Sequence, residues 1–151
     1  MSLDQPKPES VDGSPYTFGI VAARFNQRYV DALLARARET LESAGVLADN
    51  IHAVRVPGSN EVPYALSLMA RQDRFHALMG LGLVLAGETN HHDVIGYETA
   101  GIMHQISLQY NLPVINGIVV VNNETQAEAR SLGKMNRGAE FAQAALEMAQ
   151  I

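Results

Sequence analysis

The chain has 151 residues, of which 47 % are hydrophobic and 18 % are charged, and its formal net charge is −5 at pH 7. This length and composition suit one folded domain with a buried core and exclude an intrinsically disordered chain. The acidic balance, without any run of Lys or Arg, argues against nucleic acid as a partner, and no apolar stretch approaches the ~20 residues that cross a bilayer.

The first 16 residues are polar and rich in Pro, Ser, Asp and Glu, without the apolar segment of a secretory signal. We predict that residues 1–16 form a flexible arm, either mobile or docked on a partner, and that residues 17–151 form a single domain. The sequence contains no cysteine, which excludes disulfides and thiolate chemistry. Because this is typical of a reducing compartment, we expect a cytoplasmic location.

From residue 18 onward, short apolar runs alternate with amphipathic helical patterns. In chain order the predicted elements are a strand at 18–23, a helix that Gly45 ends, a strand at 51–56, a helix to about Arg71, a strand at 77–86, a helix at 90–111, a strand at 114–121, and helices at 124–131 and 137–150. Because the strands are apolar throughout, both faces of their sheet must be covered. The pattern therefore predicts a parallel sheet between two helical layers.

Polar and special side chains follow the ends of the predicted strands. They lie at four places, residues 24–26, 57–61, 87–93 and 116–123. In an open parallel sheet, ligands bind beyond the carboxyl ends of the strands. These four segments therefore predict a small-molecule site.

The segment at 87–93 carries the most chemical information. The first turn of the helix that follows Gly87 presents unpaired backbone N–H groups and the positive end of a dipole, which favours a phosphate, and Thr89 adds a donor. Asn90 is predicted to cap the helix, with Asp93 completing a capping box. His91 is then placed next to the phosphate, where it is suited to proton transfer. The alternative is an ordinary capped helix with two exposed histidines.

His91 and His92 do not predict a metal site. Neighbouring residues of a helix point about 100° apart, so the two rings cannot easily share one ion. The other histidines lie in unrelated parts of the sequence. We therefore expect no metal.

Three further side chains near the strand ends are candidates for ligand contacts. Arg130, on a short predicted helix, is suited to gripping a phosphate with two hydrogen bonds, although a lone helical Arg is more often a solvated surface residue. Glu61 at a helix start is favoured by the dipole alone, and it equally accepts hydrogen bonds from a polyhydroxylated ligand. Phe25 is a candidate stacking platform for a flat ring, with packing as the alternative.

Four stretches of the chain carry a family resemblance. They are GIVAARFN at 19–26, VPGSNEVP at 56–63, GETNHHD at 87–93, and PVING at 113–117 with QAEAR at 126–130 and GAE at 138–140. In order and spacing they resemble the 6,7-dimethyl-8-ribityllumazine synthases, which catalyse the penultimate step of riboflavin biosynthesis. The resemblance extends over nearly everything from residue 18 to residue 151.

The resemblance implies a fold, a reaction and no cofactor. The fold is a flavodoxin-like three-layer α/β/α sandwich whose four-stranded parallel sheet has the order 2-1-3-4. The implied transferase reaction condenses 5-amino-6-(D-ribitylamino)uracil with 3,4-dihydroxy-2-butanone 4-phosphate. Both partners of the chain are thus small-molecule substrates, and neither nucleic acid nor a membrane is involved.

The resemblance also assigns roles to residues. A proton acceptor, a uracil and ribityl site and a phosphate site are implied. The residues are His91 as proton acceptor; Phe25 stacking on the pyrimidine; Ser59, Asn60 and Glu61 on the ribityl chain; Leu83, Val84 and Leu85 on the uracil edge, largely through backbone; Asn116 in the uracil site; and Glu88, Thr89 and Arg130 on the phosphate.

Members of the family form pentamers with the active site between subunits, so the resemblance implies a homopentamer in which Asn116 and Arg130 come from the adjacent subunit. Whether pentamers assemble further, into decamers or sixty-subunit shells, stays open. Asn60 and His92 depart from the aromatic residues common in the family, and the loop at 132–137 is one residue shorter. These departures motivate an alternative, a non-catalytic flavin- or lumazine-binding paralogue with a structural or regulatory role. An unrelated flavodoxin-like phosphate binder would require the four matches to be coincidence.

Overall fold

The alternating pattern folds into four strands and five α-helices within residues 4–151, the part of the chain that the computed structural model describes. In chain order the elements are β1 (Phe18–Ala23), α1 (Gln27–Ser43), β2 (Ile51–Val56), α2 (Val62–Ala70), β3 (Ala77–Leu85), α3 (His91–Tyr110), β4 (Val114–Val121), α4 (Glu124–Ser131) and α5 (Arg137–Ala149). Short 3₁₀ turns at Ala48–Asn50 and Ser59–Glu61 precede β2 and α2. The predicted bounds of β1, β2, β4 and α4 are confirmed, whereas β3 and α5 each end one residue earlier than predicted.

All four strands are parallel, and their order across the sheet is β2-β1-β3-β4. Phe18 at the start of β1 lies opposite Ile51 on one side and Ala77 on the other, and Leu78 pairs with Val114 of β4. A parallel pair requires a crossover connection, and helices provide it here. The predicted flavodoxin-like sheet order is confirmed.

Two helical layers cover the sheet. Alternate residues of β1 face opposite sides, so Phe18 and Ile20 join a core against α1 and α5, while Val21 joins a second core under α2 and α3. All six residues of β1 are buried. The predicted three-layer sandwich follows from this two-sided burial. Within residues 4–151, no helix is long and apolar enough to span a membrane.

Residues 4–16 lie against the ends of α1 and α5 of the same chain. The Gly13 N–H donates to the Ala44 carbonyl at 2.7 Å, and Gln143 Nε2 donates to the Glu9 carbonyl at 2.7 Å. Val11 is buried in the core between these helices. The flexibility of the arm and the domain boundary at residue 16 stay predictions.

Candidate active site

The turns that leave β1 and β2 are tied to each other at the carboxyl edge of the sheet. The Arg24 N–H donates to the carbonyl of Val56 at 2.8 Å, and the Phe25 N–H donates to the carbonyl of Pro57 at 3.0 Å. This pairing continues the β1–β2 ladder past the ends of the strands. It leaves the Phe25 side chain 72 % exposed, which is unusual for a large apolar residue beside a core.

The Phe25 ring lies against the turn that precedes α2. A Cβ atom added to Gly58 would stand 3.1 Å from Phe25 Cδ2 and 3.1 Å from Glu61 Oε2, so the glycine permits this close approach. Glu61 Oε2 accepts a hydrogen bond from the Gly58 N–H at 2.8 Å, as in a capping box. Phe25 and Glu61, both predicted site residues, are thereby held on either side of one glycine.

Ser59 and Asn60 complete this turn in different environments. Ser59 is 7 % exposed and packs on β3, where a Cβ atom added to Gly82 would collide with its Oγ. Asn60 is exposed. Gly82 immediately precedes Leu83, so the turn at Ser59–Glu61 lies beside the end of β3.

The end of β3 presents an open backbone edge. Pairing between β1 and β3 stops at Ala22 and Leu81, whereas pairing with β4 continues to Leu85. The Ala86 N–H donates to Val121 of β4 at 2.9 Å, so by alternation the N–H and C=O of Leu83 and Leu85 face the side that β1 has left. Among residues 4–151, only the Asn26 side chain reaches this edge from outside the sheet, through a 2.8 Å bond to the Leu83 carbonyl.

The segment from Gly87 to His92 leads from β3 into α3, but the predicted cap is wrong. Asn90 is the residue before the helix, yet its side chain makes no capping hydrogen bond, and its φ of −80° and ψ of 13° are not the extended values of a capping residue. The Thr89 hydroxyl instead accepts a long 3.4 Å hydrogen bond from the His91 N–H. Glu88, Thr89 and His91 are all exposed, as an anion site open to solvent requires.

His92 holds this turn in place. Its ring Nδ1 lies 3.1 Å from the Thr89 carbonyl, and its Nε2 lies 3.5 Å from Asp93 Oδ1. The ring therefore connects Thr89, two residues before the helix, to the first helical turn. A phenylalanine at this position would make neither contact.

Arg130 and Asn116 are not brought to the same place as the other predicted residues within one chain. Arg130 lies on α4, where its Nη1 donates to the Gln126 carbonyl at 3.3 Å. Asn116 is the third residue of β4, opposite Gly80, and its Oδ1 accepts from the Ile118 N–H at 3.0 Å. Within residues 4–151, no hydrogen bond or ion pair connects either side chain to residues 87–93.

The candidate residues do not line the two grooves found on the surface of residues 4–151. One groove, of about 530 Å³, lies between α1, α5 and residues 9–11, and the other, of about 550 Å³, lies between β2 and α2. In the described part of the chain, no group of three or more His, Cys, Asp or Glu side chains is arranged to hold a metal ion. In a single chain, Phe25, Glu61 and His91 are exposed at the carboxyl edge of the sheet.

Comparison with known proteins decides the family. The sequence model for 6,7-dimethyl-8-ribityllumazine synthase matches residues 15–151. The chain belongs to the 6,7-dimethyl-8-ribityllumazine synthase family.

Named members of this family are similar to the chain over nearly its whole length. One from Polaromonas sp. is 39 % identical over 143 residues, which are 95 % of this chain and 91 % of that protein. One from Paracidovorax citrulli is 40 % identical over 148 residues, covering 98 % and 94 % of the two chains. One from Cupriavidus pinatubonensis is 40 % identical over 144 residues, covering 95 % and 84 %.

Sequence reasoning missed two polar side chains that organise this lumazine synthase fold around its candidate site. Asn26 bonds to the end of β3, and Arg36 of α1 donates to the carbonyls of Gly133 at 2.7 Å and Leu132 at 2.5 Å, which follow α4. The Arg36 bonds hold the C-terminal end of the helix that carries Arg130. An Asn next to Phe25 was a visible signal, but the helical spacing of Arg36 gave none.

Proposed function

We propose that this chain catalyses the condensation of 5-amino-6-(D-ribitylamino)uracil with 3,4-dihydroxy-2-butanone 4-phosphate to 6,7-dimethyl-8-ribityllumazine. Family membership supports the reaction. The observation that carries the site is the exposed Phe25 ring next to Asn26, whose side chain bonds to the backbone edge of β3 at Leu83.

The uracil half of the proposed site consists of the Phe25 ring, the backbone edge of β3 and the turn at Ser59–Glu61. Phe25 supplies a face for the pyrimidine, since aromatic stacking tolerates an exposed ring on one side. The N–H and C=O of Leu85 offer a donor and an acceptor in the plane of the sheet, which suits the alternating donors and acceptors of a uracil, and Val84 lies between them and Leu83. Ser59, Asn60 and Glu61 would bind the ribityl hydroxyls, and Glu61 still has one carboxylate oxygen without a protein donor within residues 4–151.

The phosphate half lies at the start of α3, a helix of 20 residues. The dipole of that helix stabilises an anion, and Glu88 and Thr89 lie at its start. Arg130 of an adjacent subunit would pair with the phosphate, which explains why it contacts nothing in this segment of its own chain. Asn116 of that subunit would close the uracil side.

His91 is positioned to move protons between the two substrates. The 5-amino group adds to the ketone of the butanone phosphate, and loss of water gives an imine. Removal of the C3 proton by His91 then expels phosphate from C4 and leaves an enol. The enol tautomerises to a new carbonyl at C3, on which the ribitylamino nitrogen closes the ring with loss of a second water. A well-placed acid–base group of this kind contributes roughly 10²–10⁴-fold to a rate.

An assembly of subunits is part of the proposal, and the surface of α3 supports it. Only Thr99, Met103 and Ile106 of this helix are buried. Tyr97 and Leu108, each 80 % exposed, leave an apolar face that a single chain does not cover. A homopentamer would cover such a face and bring Arg130 of one subunit to the helix start of the next; its possible growth into larger shells stays open.

The direct test mixes the chain with both substrates and follows lumazine fluorescence. We expect turnover well above the spontaneous condensation, and loss of about 10²–10⁴-fold in kcat for His91→Ala. A rate no greater than the spontaneous one would refute the function. The non-catalytic alternative gains no support, because the family model for the synthase matches residues 15–151 and the similar proteins carry the synthase name.

A further inference from the structure

Asn26 departs from what is usual both in its backbone conformation and in the hydrogen bonding of its side chain. Its backbone is left-handed, with φ 55° and ψ 44°, which costs any residue other than glycine. It is also the residue that precedes α1, where an Asn side chain normally caps the helix, yet its side chain makes no capping bond. Departures of this kind concentrate at functional sites, because something else must compensate for them.

The side-chain amide of Asn26 makes a hydrogen bond to β3, which compensates for the cost of the left-handed backbone and the missing cap. Its Nδ2 donates to the Leu83 carbonyl at 2.8 Å, on the side where β1 has already ended. The side chain thus supplies the hydrogen bond that the next backbone residue of β1 would have made. Without it, that carbonyl would lack its partner from the β1 side.

This bond fixes two parts of the proposed uracil site relative to each other. Asn26 is the chain neighbour of Phe25, whose N–H is itself bonded to Pro57. This side-chain hydrogen bond therefore helps to set the distance between the stacking ring and the backbone edge at Leu85, together with the packing of Ser59 against Gly82. A left-handed backbone at residue 26 is what turns the amide away from α1 and toward β3.

We infer that Asn26 is a positioning residue that holds the hydrogen-bonding edge of β3 in register with the Phe25 ring, and so determines affinity for the aminouracil substrate. The inference rests on the proposed function for its substrate. Asn26 acts through Leu83 and Phe25, and its effect is confined to the uracil half of the site. The phosphate half, at the start of α3, does not depend on it.

Two substitutions separate the side chain from the backbone conformation. Asn26→Gly keeps the left-handed backbone and removes the amide, and Asn26→Asp keeps the shape but sets a carboxylate against a carbonyl. The matched control is Asn111→Gly, since Asn111 has a φ of 48° and lies before β4, at the opposite edge of the sheet. All three variants keep the strained backbone angle in a residue that tolerates it.

For Asn26→Gly we expect the KM for the aminouracil to rise roughly fivefold to thirtyfold, with the KM for the butanone phosphate unchanged. Asn26→Asp should have at least as large an effect, and Asn111→Gly none. Backbone amides of residues 83–86 should also exchange with deuterium faster in both Asn26 variants. Equal increases in both KM values, or unchanged KM and exchange, would overturn the inference.

The exchange measurement separates this inference from the proposed function. A wild-type chain that makes no lumazine would refute the function. Faster exchange at residues 83–86 in Asn26→Gly would then still show that Asn26 holds this edge, and unchanged exchange would overturn that role as well.

Discussion

Gly82 is the position where a single added atom should disturb the substrate site most directly. It lies in β3 immediately before Leu83, and a Cβ atom there would collide with Ser59 Oγ. The same atom would stand 3.3 Å from Ser59 Cβ and 3.6 Å from Ile118 Cγ1. Because Ser59 is 7 % exposed, its side chain has little space to move into. Gly82→Ala should therefore displace the turn at Ser59–Glu61.

The expected magnitude follows from the tightness of this contact. Overpacking a filled core site costs about 1–3 kcal/mol. In a domain of this size, each 1 kcal/mol lowers Tm by about 2–4 °C. The displaced turn carries the proposed ribityl contacts, so the KM for the aminouracil should rise while the KM for the butanone phosphate changes little. Thermal unfolding and the fluorescence assay measure the two effects on the same samples.

Two comparisons show whether the collision with Ser59 is the cause. Gly19→Ala also places a Cβ atom in a tight contact, 2.6 Å from Leu78 Cδ2, but at the amino end of the sheet, so it should lower Tm without raising the KM. Adding Ser59→Ala to Gly82→Ala removes the colliding oxygen and should restore about 0.5–3 kcal/mol of stability as a coupling energy. The reasoning is refuted if the double variant recovers no stability, or if Gly82→Ala leaves the KM for the aminouracil at its original value.

The remaining predictions concern the phosphate, the proton and the arm. Arg130→Ala should raise the KM for the butanone phosphate about 10–150-fold, the equivalent of a charge-assisted bond, and equal effects on both substrates would contradict the phosphate role. His91→Ala should lower kcat with little change in either KM, so a loss of binding alone would argue against proton transfer. The pKa of Glu147 is lowered because Gln143 Nε2 and the Glu9 N–H donate to its carboxylate. The stabilisation is therefore present at neutral pH and lost as pH falls through the lowered pKa, so amides of the arm should lose protection in acid, a step that Glu147→Gln should lack.

The bounds of β1 and β4 were predictable because no charged residue interrupts either strand. All residues of β1 are apolar or glycine, and no charged residue interrupts β4, so their bounds follow from composition alone. The end of α1 was equally predictable from the sequence, since Gly45 has a φ of 94° that only glycine adopts readily. Order 2-1-3-4 was not available from these patterns. It came from the family resemblance.

The local chemistry of the site was less predictable, because side chains near strand ends have several partners to choose from. Asn90 was predicted to cap α3, yet its side chain does not, and the Asn26 side chain before α1 makes no capping bond either. A side-chain bond of the capping type forms at Glu61 instead, whose carboxylate accepts from the Gly58 N–H. Such an amide can bond to its own helix or to a neighbouring strand. Which of the two it does depends on where that strand ends in the folded structure, and the local sequence does not show this.

The exposed candidate site and the apolar face of α3 are both surfaces that a single chain leaves uncovered. A single chain exposes Phe25 and Tyr97 to water and leaves the backbone edge at Leu85 unpaired, three features that a monomer would be expected to bury or to pair. In the proposed site, substrate would cover the first and third, and a neighbouring subunit would cover the second. Since Arg130 contacts nothing in the 87–93 segment of its own chain, the same neighbour would have to supply it. The phosphate site would then be complete only in the assembly. A variant that separates the subunits should therefore lose phosphate binding even with every site residue in place.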